Sequence, residues 1–239
     1  MAQLDALSDD EGAASIVESL RIADEFKSEG NDHFRARRWN EALVAYRAGL
    51  GRLPKKAKPE VRPPTEDEDD IPSTEESTDT AAAKVDQVAL TPEEVECAKA
   101  RAVLNANIGA CYVKLDDHKQ AVEACSQALL DDPSYVKALQ RRAASNEKIN
   151  TWSSLTSAQE DYATLLKILP PSSTQAKEIA RSEFLLKPRL EAAQKQETAE
   201  MLDKLKGVGN SILGNFGLST DNFKFEPNGQ GGYSMNFTR

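Results

Sequence analysis

Small and apolar residues return along this chain at matching offsets in three segments. In the first, Gly30 is followed by Ala42, Tyr46, Gly49 and Pro54. The second carries Gly109, Tyr112, Ala121, Cys125, Ala128 and Pro133, and the third Ala143, Ala158, Tyr162 and Pro170. This pattern predicts three helix pairs. Small residues in the middle of each pair let two helices cross closely, and the larger apolar residues fill the space beside them. A proline then ends the second helix of each pair. The second and third units are contiguous, so Val136 opens the third soon after Pro133. Roughly three extra residues follow Trp152, in SSLTS, and are expected to lengthen the turn inside the third pair.

Polar and breaker residues mark out the rest. Residues 1–14 are expected to be disordered, and Ser15-Ile16-Val17-Glu18 reads as a capping box that starts the first helix of a unit over 15–56. The stretch 57–91 is rich in Pro, Ser, Thr and acid, and reads as a disordered acidic insert. Thr91-Pro92-Glu93-Glu94 then has the chemistry of a helix start, opening a second and third unit over 92–170. A charged capping helix follows over 171–206, with Pro188 expected to bend or interrupt it. Gly207-Val208-Gly209-Asn210 reads as its terminator.

The tail, 207–239, continues an apolar face through Val208, Ile212, Leu213 and Phe216 that starts at Met201, Leu202 and Leu205. Phe223/Phe225 and Tyr233/Met235/Phe237 then alternate around Asn228-Gly229, which predicts a hairpin. A two-stranded hairpin is marginal alone in water, so it is expected to dock on the protein or on a partner.

Composition narrows the class. The chain is 39% hydrophobic, 6% aromatic and 29% charged, enough for one helical core. A formal net charge of −9 argues against nucleic acid as a partner, because phosphate binding needs a basic field. Cys97, Cys111 and Cys125 lie 14 residues apart on helical segments, without metal-ligand spacing, which suggests reduced thiols. No signal sequence opens the chain, and no apolar stretch reaches membrane-spanning length, so the expected location is the cytoplasm, without membrane insertion. The Asn236 sequon is read as accidental.

Gly, Ala and Pro at these offsets resemble the tetratricopeptide-repeat (TPR) family, whose unit is a helix-turn-helix of roughly 34 residues. The resemblance implies an all-α solenoid of three repeats with a capping helix, and a groove lined by positions two, five, six and nine of each unit. There stand Lys27 and Asn31, then Asn107, then Lys137 and Arg141. Lys27/Asn31 and Lys137/Arg141 are each four apart, so each pair shares a helix face. All five donate hydrogen bonds, and three are cations in an acidic chain, which suits a ligand with neighbouring carboxylates. The set resembles the carboxylate clamp of TPR co-chaperones, and Lys114, just beyond Tyr112, matches a supplementary basic position. That likeness implies binding of the Glu-Glu-Val-Asp C-terminal tails of seventy- and ninety-kilodalton heat-shock chaperones.

The segment LKGVGNSILGNFGLSTDNFKF…YSMNF is further similar to the end of the tetratricopeptide repeat protein 1 family of eukaryotic adaptors. That likeness permits a second reading: a signalling scaffold for a small GTPase or G-protein subunit, bound through the convex face or the tail. Signals for catalysis are thin. His33 and His118 fall at unrelated positions, Gly207-Val208-Gly209 lacks the strand and lysine of a phosphate loop, and no cofactor is expected. A binding protein is expected, not an enzyme. The acidic run Glu66–Asp70 is expected to be a solvated linker, or else a weak tethered competitor for the groove.

Overall fold

The computed structural model describes residues 2–55, 91–215, 218–227 and 233–237. Seven α-helices come first: α1 (Ala2–Arg35), α2 (Trp39–Leu50), α3 (Pro92–Lys114), α4 (His118–Asp131), α5 (Val136–Ile149), α6 (Trp152–Ile168) and α7 (Thr174–Gly214). A short 3-10 turn over Thr220–Asn222 precedes β1 (Phe223–Pro227) and β2 (Tyr233–Phe237). Two compact units divide the chain, Met1–Ala138 and Leu139–Arg239, the division falling within α5.

In the first unit, glycines set how close the helices come. A Cβ on Gly30 would lie 2.5 Å from the Tyr46 ring, and one on Gly109 would lie 2.6 Å from the Cys125 sulfur. Only a residue without a side chain fits at either crossing. The core beside them holds Ala23, Leu43, Leu53, Leu104 and Ile108, all buried. The turn inside each pair repeats as well. Arg37, Asp116 and Asn150 each stand seven residues after Gly30, Gly109 and Ala143, and each has φ near 60°. That left-handed residue reverses the chain after the first helix, and among residues with a side chain it costs least for Asn and Asp.

Helix starts behave as their caps dictate. Thr91 accepts from the Glu94 amide at 3.2 Å and donates its own N–H to the Glu94 carboxylate at 2.9 Å, with Pro92 at the first helical position. Residues 56–90, and with them the acidic run Glu66–Asp70, lie outside the described residues. Where the chain leaves the first helix pair, Arg101 holds its end. It donates to both oxygens of Asp131, at 2.8 and 3.1 Å, and to the carbonyl of Pro54 at 2.8 Å. Both charged side chains are largely buried, at 14% and 7% exposure.

The second unit is tied by a parallel pair. Arg142 of α5 grips the buried Asp161 of α6 at 2.6 and 3.0 Å. Burial pushes that carboxyl above its ordinary range, against the pull of Arg142. Leu155, Leu165, Ile179 and Leu186 fill the core. The hairpin pairs antiparallel in the expected alternation, Phe223 opposite Phe237 and Phe225 opposite Met235. Its turn, with Asn228-Gly229, lies outside the described residues.

Four local expectations are overturned and a fifth is narrowed. The helix α1 begins at Ala2. The segment expected to be disordered over 1–14 is rich in Ala and Leu and has no proline to stop a helix. Ser15 is therefore mid-helix rather than an N-cap, and its carbonyl accepts from Ser19. The SSLTS residues do not lengthen a turn. Thr151 caps α6 at Ser154, so the extra residues extend the helix to 17 residues, against 12 in α2 and 14 in α4.

Of the two outcomes expected at Pro188, a bend or an interruption, the interruption does not occur: α7 continues through it. Leu186 is buried on one side of it, and Arg189 on the other donates to the Glu147 carboxylate and carbonyl and to Asn150 at the end of α5. Finally, Gly207–Asn210 does not terminate the helix, which continues to Gly214. Gly209 instead seats the following turn, since a Cβ there would lie 2.9 Å from Thr220, and the side-chain oxygen of Asn210 accepts from the Thr220 amide at 2.6 Å.

Three substitutions test this packing by urea unfolding. Gly109→Ala is expected to cost about 1–3 kcal/mol by overpacking. Adding Cys125→Ala should recover part of that loss, and strict additivity would contradict the contact. Arg101→Met leaves the Asp131 carboxylate buried alone and is expected to cost about 3 kcal/mol.

Candidate functional site

The six expected binding residues sit on three helices. Lys27 and Asn31 share one face of α1, and Asn107 and Lys114 are two turns apart on α3, which packs against α1 within the first unit. Lys137 and Arg141 lie one turn apart on α5, Lys137 in the first unit and Arg141 in the second. Lys114 and Lys137 are exposed; Lys27, Asn31, Asn107 and Arg141 are half-buried.

Asn31 is held from behind. The Tyr46 hydroxyl donates to its side-chain oxygen at 2.8 Å, which leaves the amide nitrogen as the outward donor. The small residue at position 30 makes this possible: the Tyr46 ring lies over Gly30, so its hydroxyl reaches the residue that follows. Tyr46 reads in sequence as packing alone, yet it also orients a polar group.

Lys27 pairs with Asp24, three residues earlier on the same helix. Asp24 is a feature that the search for donors passes over, although its spacing from Lys27 carries the signal. Both line a cavity of about 480 Å3 between α1 and α3. Its floor is apolar, from Leu20, Ala23, Ala100 and Val103, while Arg21 and Lys99 stand at the rim. Asn107 follows Val103 by one turn and so lies on the cavity's face of α3. Those two rim cations also pair locally, Arg21 with Glu18 and Lys99 with Glu96. An apolar floor with hydrogen-bond donors along one edge has the chemistry for a ligand that joins a polar group to an apolar one.

The histidines do not assemble a site. His33 accepts from Arg38 at 3.0 Å, and His118 lies 3.0 Å from Asp116. Among the described residues no group of His, Cys, Asp and Glu could hold a metal ion, and no helix is long and apolar enough to cross a membrane. The three cysteines are buried and form no disulfide, and burial pushes the Cys97 thiol up, away from the reactive thiolate.

Tyr46→Phe tests the positioning of Asn31. The loss of one hydrogen bond is expected to cost about 1 kcal/mol. The Asn31 side-chain amide resonances should also move and broaden, while unchanged resonances would contradict the bond.

Comparison with known proteins places this geometry. No family model matches the chain. FK506-binding protein 59 of Drosophila melanogaster is 31% identical over 118 residues, 48% of this chain and 25% of that protein. FK506-binding protein 5 of Rhizopus delemar is 31% identical over 160 residues, 66% of this chain and 34% of the relative. The chain thus spans a quarter to a third of the length of these curated relatives. Among solved structures, the TPR-containing C-terminal domain of a Plasmodium falciparum protein named as an FK506-binding protein matches with a TM-score of 0.50 and 24% identity. The match covers 75% of this chain and 95% of that domain. With the glycine crossings at Gly30 and Gly109 and the three left-handed turns, this likeness establishes an all-α tetratricopeptide-repeat fold for the chain.

Proposed function

We propose that this chain is an adaptor that holds the acidic C-terminal end of a partner, with Lys27, Asn31, Asn107, Lys114, Lys137 and Arg141 as the binding residues. The observation that carries the reading is the Tyr46–Asn31 hydrogen bond, which fixes an amide donor one turn from Lys27. Val103 and Asn107 present a matching apolar and polar edge on α3. By repeat register, Lys137 and Arg141 supply the same chemistry from α5.

Donors of this kind recognise paired carboxylates, a side-chain acid beside a terminal one. The Glu-Glu-Val-Asp ends of seventy- and ninety-kilodalton heat-shock chaperones have that chemistry, so the chain reads as a cytoplasmic co-chaperone without catalytic activity. Kinship with the tetratricopeptide repeat protein 1 adaptors is part of the same proposal. A second partner site on α7 is favoured by one observation: Met201, Leu205, Val208 and Ile212 form a stripe at helical spacing, each 60% exposed or more. That stripe is where a GTPase or G-protein subunit would bind in the scaffold reading.

Fluorescence anisotropy with a labelled peptide ending in Met-Glu-Glu-Val-Asp tests the clamp. Lys137→Ala and Arg141→Ala are each expected to weaken binding at least about tenfold, as loss of a charge-assisted contact does. Amidating the peptide's C-terminus should have a similar effect, and affinity should fall with added salt. If both variants keep full affinity and fold normally, the assignment is wrong.

A further inference from the structure

A cavity of about 460 Å3 opens in the first unit among the end of α2, the middle of α3 and the end of α4. Its walls are apolar, from Leu50, Leu53 and Leu130, the last 60% exposed. Arg47 and Lys55 stand at its rim, and among the described residues neither is paired with a carboxylate. Among the described residues that leaves a positive edge on this cavity, in a chain of net charge −9. Arg47 is held in place by its hydrogen bond to the Tyr112 hydroxyl and by stacking at 5.7 Å over that ring. Arg101 and Asp131 also line the space, but they satisfy each other.

Asn105 makes this cavity more than a surface dimple. It is only 9% exposed and lines the cavity, no group among the described residues hydrogen-bonds its amide, and that amide is not one of the fully enclosed polar atoms, so its donor and acceptor open onto whatever fills the cavity. The general repeat pattern carries a tryptophan four residues before its glycine; here that place is Asn105, before Gly109, and the smaller side chain leaves the space open. Asn105 and Asn107 are two residues apart, so they point about 200° from each other around α3. The cavity therefore lies away from the α1-facing edge to which Asn107 belongs.

We propose that this cavity is a second docking site, taking an internal segment of an acidic peptide that carries a large apolar side chain. The three leucines take the apolar group. Arg47 and Lys55 take flanking carboxylates. The Asn105 amide, which both donates and accepts, takes a main-chain N–H and C=O of the segment. No terminal carboxylate is required, which separates this site from the clamp.

The test is a two-dimensional NMR titration of the full chain with acetyl-Glu-Asp-Leu-Phe-Glu-Asp-Gly-amide, capped at both ends. Saturable shifts are expected at Gly51, Leu130 and the Asn105 side-chain amide, and they should persist in Lys137→Ala. Lys55→Glu, beyond the end of α2 and exposed, should weaken binding at least about fivefold, as should Arg47→Glu. A version of the peptide with lysine for each acid should not bind. The proposal is overturned by an absence of saturation up to about 1 mM, by shifts confined to the surroundings of Lys27 and Asn31, or by equal binding of the lysine peptide.

Discussion

Arg101 closes a gap that the covalent chain leaves open. Between Lys55 and Thr91 the first helix pair is joined to the second only through 35 residues, 56–90. Packing of α1 and α2 on α3 therefore has to set the alignment of the two helix pairs. The guanidinium spans the break by gripping the Pro54 carbonyl at the exit of the first pair and the Asp131 carboxylate at the end of the second. Arginine's rigid fork suits this task, because one side chain fixes two acceptors in a set geometry. The cavity lined by Asn105 and the apolar floor beside Lys27 both depend on that alignment.

Close approach does the rest within each pair. Gly30 admits the Tyr46 ring, the ring brings a hydroxyl to Asn31, and Asn31 turns its amide outward. Packing and recognition are here one chain of contacts, so a core change at position 30 is felt at a binding residue. In the second unit Glu147 accepts from Tyr162 and from Arg189, which ties α5 to α6 and α7. Burial and the neighbouring Glu147 both push the Tyr162 phenol upward, so it stays a donor at any ordinary pH.

Much of the fold was legible because it is written in short-range spacing. The crossings at Gly30 and Gly109, the Thr91 cap and the alternation of the hairpin all follow from offsets of a few residues. The errors share another cause. Ser15-x-x-Glu18 has the form of a cap, but a cap acts only where the preceding chain leaves the helix, and nothing before Ser15 makes it leave. Pro188 and Gly209 are poor helix residues locally, yet Leu186, Arg189 and Thr220 hold them from a distance. At the site, helix-face spacing identified the donors. It could not disclose the Tyr46 bond, fifteen residues from Asn31, nor that Asn105 opens onto a void.

The three buried thiols have a consequence of their own. Cys97, Cys111 and Cys125 all lie in the first unit, each almost fully enclosed, and two of them sit at or beside the crossing of α3 and α4. A thiol reagent reaches Cys111 and Cys125 only while that crossing is open, and the time spent open is set by local stability. The sequence therefore contains its own clock for breathing of the first helix pairs. Ligand that clamps those helices slows it, and ligand that binds elsewhere leaves it ticking at its native rate.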